Sequence, residues 1–112
     1  MTFYYTCTID EPDIVINSFG VSWYSEGNLH REDGPAIDSL YSKEWWIYGF
    51  RHREDGPASI HTDGTEEWYQ YGFRHREAGP AIICCNGVKL YYLCGVHYTY
   101  KDYYKLLKIN IT

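Results

Sequence analysis

The chain of 112 residues holds a single methionine, few leucines and valines, and four cysteines, Cys7, Cys84, Cys85 and Cys94, with no Cys-x-x-Cys pair among them. Irregular cysteines make no disulfide framework and suit a reducing compartment, so free thiols are expected. Cys85, Cys94 and His97 could be assembled into part of a zinc site, but the close paired spacing of structural zinc motifs is missing. No metal and no cofactor is expected. No stretch approaches the ~18 apolar residues of a membrane span, and Met1 to Cys7 carries neither a basic leader nor an apolar signal region. A cytoplasmic protein with no membrane partner is the expectation. An excess of positive charge is lacking too: the net charge is -5, so the overall field repels phosphate backbones and disfavours duplex nucleic acid as a partner.

Rings take the place of the missing aliphatic side chains. Phe, Trp and Tyr make up 19% of the chain, with 13 tyrosines, and the hydrophobic fraction of 45% is that of a globular protein. Aromatic residues favour strands, and the length fits one domain.

Four histidines, His30, His52, His75 and His97, are spaced by 22, 23 and 22 residues, and all five arginines cluster beside the first three. Self-similarity at such a period marks one small unit stacked on itself. The units run from Val21 to Ala36, from Lys43 to Ala58 and from Glu66 to Ala81, each opening near a Trp and closing on His-Arg-Glu-Asp-Gly-Pro-Ala, with Ala78 in place of Asp in the third. The fourth, Lys89 to His97, reads as a terminal cap that has lost one residue between its Gly and His. The chain 1–112 is therefore one repeat domain: N-terminal strands within 1–20 (Tyr4 to Thr8 and Ile14 to Ile16), about 3.5 repeats over 21–97, and a capping helix over 98–110.

Two apolar stretches per unit predict two short strands, one opening at Trp and one after Gly-Pro-Ala. Asp63-Gly64 and Asn86-Gly87 between them supply positive φ for tight hairpin turns; Leu40-Tyr41-Ser42 calls for a turn of another kind. Pro35, Pro57 and Pro80 cannot donate to a ladder, so each should open a strand after Gly34, Gly56 or Gly79 has released the backbone. The predicted fold is mainly β, an antiparallel hairpin-repeat meander in a twisted or curled sheet, with a short C-terminal helix capped at Thr99 and covering the last edge.

Side chains alternate across a strand, which places Trp23, Trp45, Trp68 and Tyr91 on one face and Tyr24, Trp46, Tyr69 and Tyr92 on the other. The first row is expected as the core of a curled sheet. The second, extended by Tyr48 and Tyr71, is the expected partner-binding face, because contiguous exposed apolar surface marks interaction sites.

The repeated string brings a base, a cation and carboxylates together at each turn. Acid-base catalysis needs a desolvated pocket, whereas turns on a sheet margin are wet, and three near-identical copies suit a structural demand better than one asymmetric active site. No enzyme activity is expected. His30, His52 and His75 are read as bonding turn backbone, with each arginine paired to Glu32, Glu54, Glu77 or an aspartate of the next unit in a ladder across the turns. The alternative is that Arg31, Arg51, Arg53, Arg74 and Arg76 form a cationic row that clamps a nucleotide or another anion beside the rings.

The string Trp-Tyr, Gly, His-Arg-Glu-Asp-Gly-Pro-Ala resembles the tandem repeats of phage and giant-virus proteins, themselves similar to variant repeats of the membrane-occupation-and-recognition-nexus (MORN) type. The resemblance spans Val21 to about His97. It implies a β-hairpin repeat serving as a binding platform, supplies no catalytic residues, and suggests a viral protein that binds, and thereby inhibits, a host protein. Standard units of that family carry Tyr-x-Gly-x-Trp signatures instead, so their lipid association does not carry over. Self-assembly into a homo-oligomer through open sheet edges is a third reading.

Overall fold

The computed structural model describes residues 13–111, so the expected strand at Tyr4 to Thr8 and Cys7 lie outside the described residues. The strands are β1 (Asp13–Asn17), β2 (Gly20–Ser25), β3 (Asn28–Leu29), β4 (Ile37–Ser39), β5 (Ser42–Glu44), β6 (Trp46–Ile47) and β7 (Phe50–Arg51). They continue as β8 (Ser59–His61), β9 (Glu66–Glu67), β10 (Tyr69–Gln70), β11 (Phe73–Arg74), β12 (Ile82–Ile83), β13 (Lys89–Leu93) and β14 (Val96–Tyr98). A helix, α1 (Tyr100–Ile111), ends the described chain.

The main sheet runs β1-β2-β4-β5-β8-β9-β12-β13-β14 with β3 paired to β2, every pairing antiparallel and between neighbours in the meander. The small hairpins β6-β7 and β10-β11 stand beside it. The protein is thus mainly β, an antiparallel hairpin meander closed by one helix, as its repeats predict.

Each unit passes from the main sheet into its small hairpin at the tryptophan. The Trp45 N–H donates to Ala58 O at 2.7 Å while its carbonyl accepts from the His52 N–H at 3.0 Å. Trp23 and Trp68 make the same two bonds, to Ala36 and His30 and to Ala81 and His75. Ala36, Ala58 and Ala81 are fully buried at these corners.

The tips of the small hairpins are two-residue turns with positive φ at both positions: 46° and 86° at Tyr48-Gly49, and 48° and 88° at Tyr71-Gly72. Glu26-Gly27 and Cys94-Gly95 repeat the geometry. This is the I′ turn, whose twist matches the flanking strands. Asp63-Gly64 builds a looser loop: Gly64 N–H donates to His61 O and His61 N–H to Thr65 O, with positive φ at the glycine alone, and Asn86-Gly87 does likewise. The Leu40-Tyr41 turn is held instead by the Ser39 hydroxyl, which accepts from the Tyr41 and Ser42 N–H groups.

Two expectations need correction. Pro35, Pro57 and Pro80 do not open strands; these begin two residues later, at Ile37, Ser59 and Ile82. The proline carbonyls are used instead by the arginines of the same turns. The fourth unit has lost nothing, since His97 pairs with Tyr92 just as Arg51 pairs with Trp46 and Arg74 with Tyr69. His97 stands in the arginine register and Tyr98 in the histidine register.

The molecule measures 61 × 33 × 18 Å with a radius of gyration of 17.1 Å, against about 13 Å for a compact 100-residue domain. A sheet this thin has little interior. Among the described residues Tyr103 is the largest fully buried side chain. The Thr99 hydroxyl accepts from the Asp102 N–H at 3.1 Å, the N-cap that fixes where α1 begins. One turn in, Tyr103 packs on Tyr91 at 4.9 Å between ring centroids. Its hydroxyl accepts from the Gly79 N–H at 3.1 Å and faces the carbonyls of Gly79 and Arg76. Burial pushes its phenol above the ordinary range. Substituting Tyr103→Phe leaves a buried N–H without an acceptor, and urea unfolding should register a loss of about 1–3 kcal/mol together with reduced helical circular dichroism. Unchanged stability would mean that the helix is not tied down by this hydroxyl.

Candidate functional site

On one face, each turn arginine lies flat over the tryptophan of its own unit. The guanidinium carbons of Arg31, Arg53 and Arg76 stand 3.9, 3.8 and 3.8 Å from the ring centroids of Trp23, Trp45 and Trp68. The same groups bond inward: Nη1 of Arg53 donates to Pro57 O at 3.1 Å and Nε to Asp55 at 3.1 Å. Arg31 repeats both bonds with Pro35 and Asp33, and holds the Asp33 carboxyl below its ordinary range by hydrogen bond and charge. Gly56 serves this stack by its missing side chain, because a Cβ there would lie 3.0 Å from the Arg53 guanidinium carbon. Arg76, beside Ala78 in place of an aspartate, keeps both its ring and its bond to Pro80. The stack therefore does not depend on the ion pair.

The opposite face carries a continuous ladder. Arg51 lies over Trp46 and Tyr69, Arg74 over Tyr69 and Tyr92, and His97 follows at 5.1 Å from Tyr92. Glu44 and Glu67 lie alongside: Glu44 accepts from Ser42, the Trp46 indole and Arg51, and Glu67 from Tyr69 and His61, with Arg74 at 3.6 Å. Burial alone would raise the Glu44 carboxyl, yet the Ser42, Trp46 and Arg51 bonds together hold it below the ordinary range. Burial, then Glu67, pushes the Tyr69 phenol up.

A third row joins one unit to the next. Nδ1 of His30, His52 and His75 accepts the backbone N–H of Tyr48, Tyr71 and Cys94, the first turn residue of the following unit, at 2.9, 3.1 and 2.8 Å. Tyr48 and Tyr71 stack on His30 and His52 at 4.0 and 4.1 Å. Nε2 of each histidine faces the glutamate two residues on, Glu32, Glu54 or Glu77.

These placements revise the expected sites. The predicted ladder from arginine to the acid of the next unit is replaced by pairs closed within one turn, and histidine makes the link between units. The predicted aromatic face divides: Tyr69 is only 7% exposed, Tyr24, Trp46 and Tyr92 are half-buried, and Tyr48 and Tyr71 project at the turn tips. Of the predicted cationic row, Arg31, Arg51, Arg53 and Arg76 lie on rings and hydrogen-bond to carboxylates or carbonyls of this chain, whereas Arg74 lies on rings with Glu67 at 3.6 Å, and the Nε atoms of Arg51 and Arg74 are buried without a partner among the described residues. The acids beside the turns are the free partners, with Glu32, Asp33, Glu54, Asp55 and Glu77 between 71 and 89% exposed.

Phe50, Phe73 and Val96, absent from the expected site, are at least half exposed and join Tyr48 and Tyr71 in a ridge along the turn tips. Their signal was the period itself, for each follows the turn glycine of its unit. Phe73 lies over the next turn, 3.0 Å from where a Cβ of Gly95 would stand. Beside the ridge, two open grooves of about 680 and 1050 Å³ separate successive turns, with Trp45 and Ile47 in one, Trp68 and Phe73 in the other, and Tyr71 in both.

Among the described residues no group of three or more His, Cys, Asp or Glu could hold a metal ion, and no helix is long and apolar enough to cross a membrane. Cys84, Cys85 and Cys94 are free. Comparison with protein-family models, curated proteins and solved structures finds no match for this chain.

Two measurements check this geometry. An Nδ1 that accepts a backbone N–H carries no proton, so two-bond 1H–15N spectra at neutral pH should show His30, His52 and His75 as Nε2–H tautomers; Nδ1–H signals would contradict the link between units. Glu44, depressed in the folded state, contributes stability above its unfolded pKa that disappears as pH falls through the folded one. Glu44→Gln should therefore cost on the order of 1 kcal/mol at pH 7 and less at pH 3 in urea titrations. An equal cost at both values would remove the charge from the account.

Proposed function

We propose that this chain is a non-enzymatic module that binds another protein through the ridge of turn tips, Tyr48, Phe50, Tyr71, Phe73 and Val96. The supporting observation is that this apolar row is exposed along the turn tips, where three successive hairpins each present it. Contiguous exposed apolar surface with a polar rim is the ordinary signature of an interaction site. The carboxylates beside it are wet and repeated, an arrangement poor for acid-base chemistry and suited to steering a partner. The resemblance to phage and giant-virus repeats makes a host protein in the cytoplasm the partner class, with inhibition as the consequence of binding.

Nucleotide or anion capture has less support, because three of the five guanidinium groups it needs, those of Arg31, Arg53 and Arg76, are already stacked and bonded within their own turns. The ridge also selects the test. Phe50→Ser with Phe73→Ser changes side chains that are more than half exposed and rest only on the next turn, so the thermal midpoint should move less than for a buried ring while recovery of the partner from host lysate falls at least tenfold. Tyr69→Ser serves as the contrast, since it removes a buried ring from the ladder and should unfold the protein. A partner retained in full by the folded double variant would overturn the ridge assignment.

A further inference from the structure

We propose that the two grooves between successive turns receive the basic side chains of one polyproline-type segment of a partner protein, one arginine or lysine in each groove. The inference rests on the protein-binding reading above and adds the chemistry that the partner presents.

Charge complementarity carries it. Glu54 and Asp55 stand between the grooves and border both, with Glu32 and Asp33 on the far wall of the first and Glu77 on the far wall of the second. Each ionised carboxylate has about four acceptor positions, and the intramolecular contacts of these acids use one or two. Among the described residues Asp55 meets only the Nε of Arg53, and Glu54 only the Nε2 of His52. The arginines that also line the grooves, Arg31 and Arg53 in the first and Arg53 and Arg76 in the second, lie on Trp23, Trp45 and Trp68 and bond to the carbonyls of Pro35, Pro57 and Pro80, so each groove still holds more acids than arginines. An entering guanidinium therefore meets free carboxylate oxygens at the rim and the Tyr71 ring between the grooves, the pairing that arginine satisfies best.

Spacing chooses the backbone of the occupant. Equivalent points in successive units lie two strands apart, about 9.6 Å. In a β-strand, residues i and i+3 point to opposite sides, while i and i+2 are separated by only about 6.6 Å. A polyproline II segment has three residues per turn and rises about 3.1 Å per residue, so i and i+3 point the same way about 9.3 Å apart. Such segments also dock on aromatic-lined grooves at low entropic cost.

The test uses two hexapeptides of equal composition and charge, Arg-Pro-Pro-Arg-Pro-Pro and Pro-Pro-Arg-Arg-Pro-Pro, titrated into the full chain by calorimetry. The spaced peptide should bind at least tenfold tighter than the clustered one; equal affinities would reduce the effect to unspecific attraction and overturn the proposal. The variant Glu54→Gln with Asp55→Ala should weaken the spaced peptide at least tenfold, and the third turn, with Ala78, shows that the fold accepts the missing aspartate. Glu77→Gln, which touches the second groove alone, should give a smaller loss. Unchanged binding in both variants overturns the assignment. A cellular partner kept by Glu54→Gln/Asp55→Ala but lost from the Phe50/Phe73 variant would sink the grooves and leave the protein-binding reading standing.

Discussion

In a sheet one layer thick every large ring has water on one side unless its own unit supplies a cover. Here the cover is a guanidinium group. Arg31, Arg53 and Arg76 fold back onto Trp23, Trp45 and Trp68, and a flat, weakly hydrated cation lying on a ring can remain half in water while shielding apolar surface. Lysine could supply the charge but not the plane. The stack explains the spelling of the repeated string: eight residues from Trp to Arg bring the two together, the glycine leaves room beside the guanidinium, and the proline carbonyl takes its Nη1. The last unit ends in a helix instead of such a turn, and three tyrosines of that helix, Tyr100, Tyr103 and Tyr104, surround Tyr91 where an arginine would lie.

Covering each ring within its unit leaves open how the units are held in register. Ladder bonds fix the main sheet, but the small hairpins do not pair with one another as strands. Their alignment comes from the His Nδ1 bond to the next turn, from the bond between the Gly72 N–H and Arg51 O at 2.7 Å, and from the Arg53 N–H to Tyr69 O at 3.3 Å. One nearest-neighbour interface is thus repeated along the axis, the condition under which a repeat protein gains stability unit by unit. Satisfying the N–H of Tyr71 with an imidazole also stabilises a tyrosine at positive φ, which few bulky residues tolerate.

The period, the meander, the strand faces and the Thr99 cap were legible because each rests on a local rule: spacing, alternation or a hydrogen bond three residues long. Other features rest on contacts between units. Nothing in the pair Tyr48-Gly49 announces an I′ turn, since asparagine or glycine normally fills its first position; the His30 bond from the preceding unit supports it, while Glu26-Gly27 takes the same turn with no such bond among the described residues. His97 falls at the expected interval of 22 residues, yet strand pairing places it in the arginine register, because a period counts residues whereas a ladder counts opposite partners. The arginine row is a related case. Sequence shows that cations and acids alternate, but only packing shows which of them face inward.

That last point decides the character of the surface. The strings His30 to Asp33 and His52 to Asp55 each carry one arginine against two acids, a net charge of -1 with histidine neutral. Folding sharpens that excess at the surface. The guanidinium groups lie against rings and bond to carbonyls, while the carboxylates stand more than 70% exposed. An approaching molecule therefore meets the acids first, and water and salt screen their charge at longer range. A second consequence follows from the repeat. Because each turn carries the same inward cation and outward acid, the surface alternates at the pitch of two strands, and a partner that matches one interval matches the next without further design. Affinity for such a surface grows by repetition of weak contacts at a fixed spacing, so selectivity resides in the interval between charges more than in any single one of them.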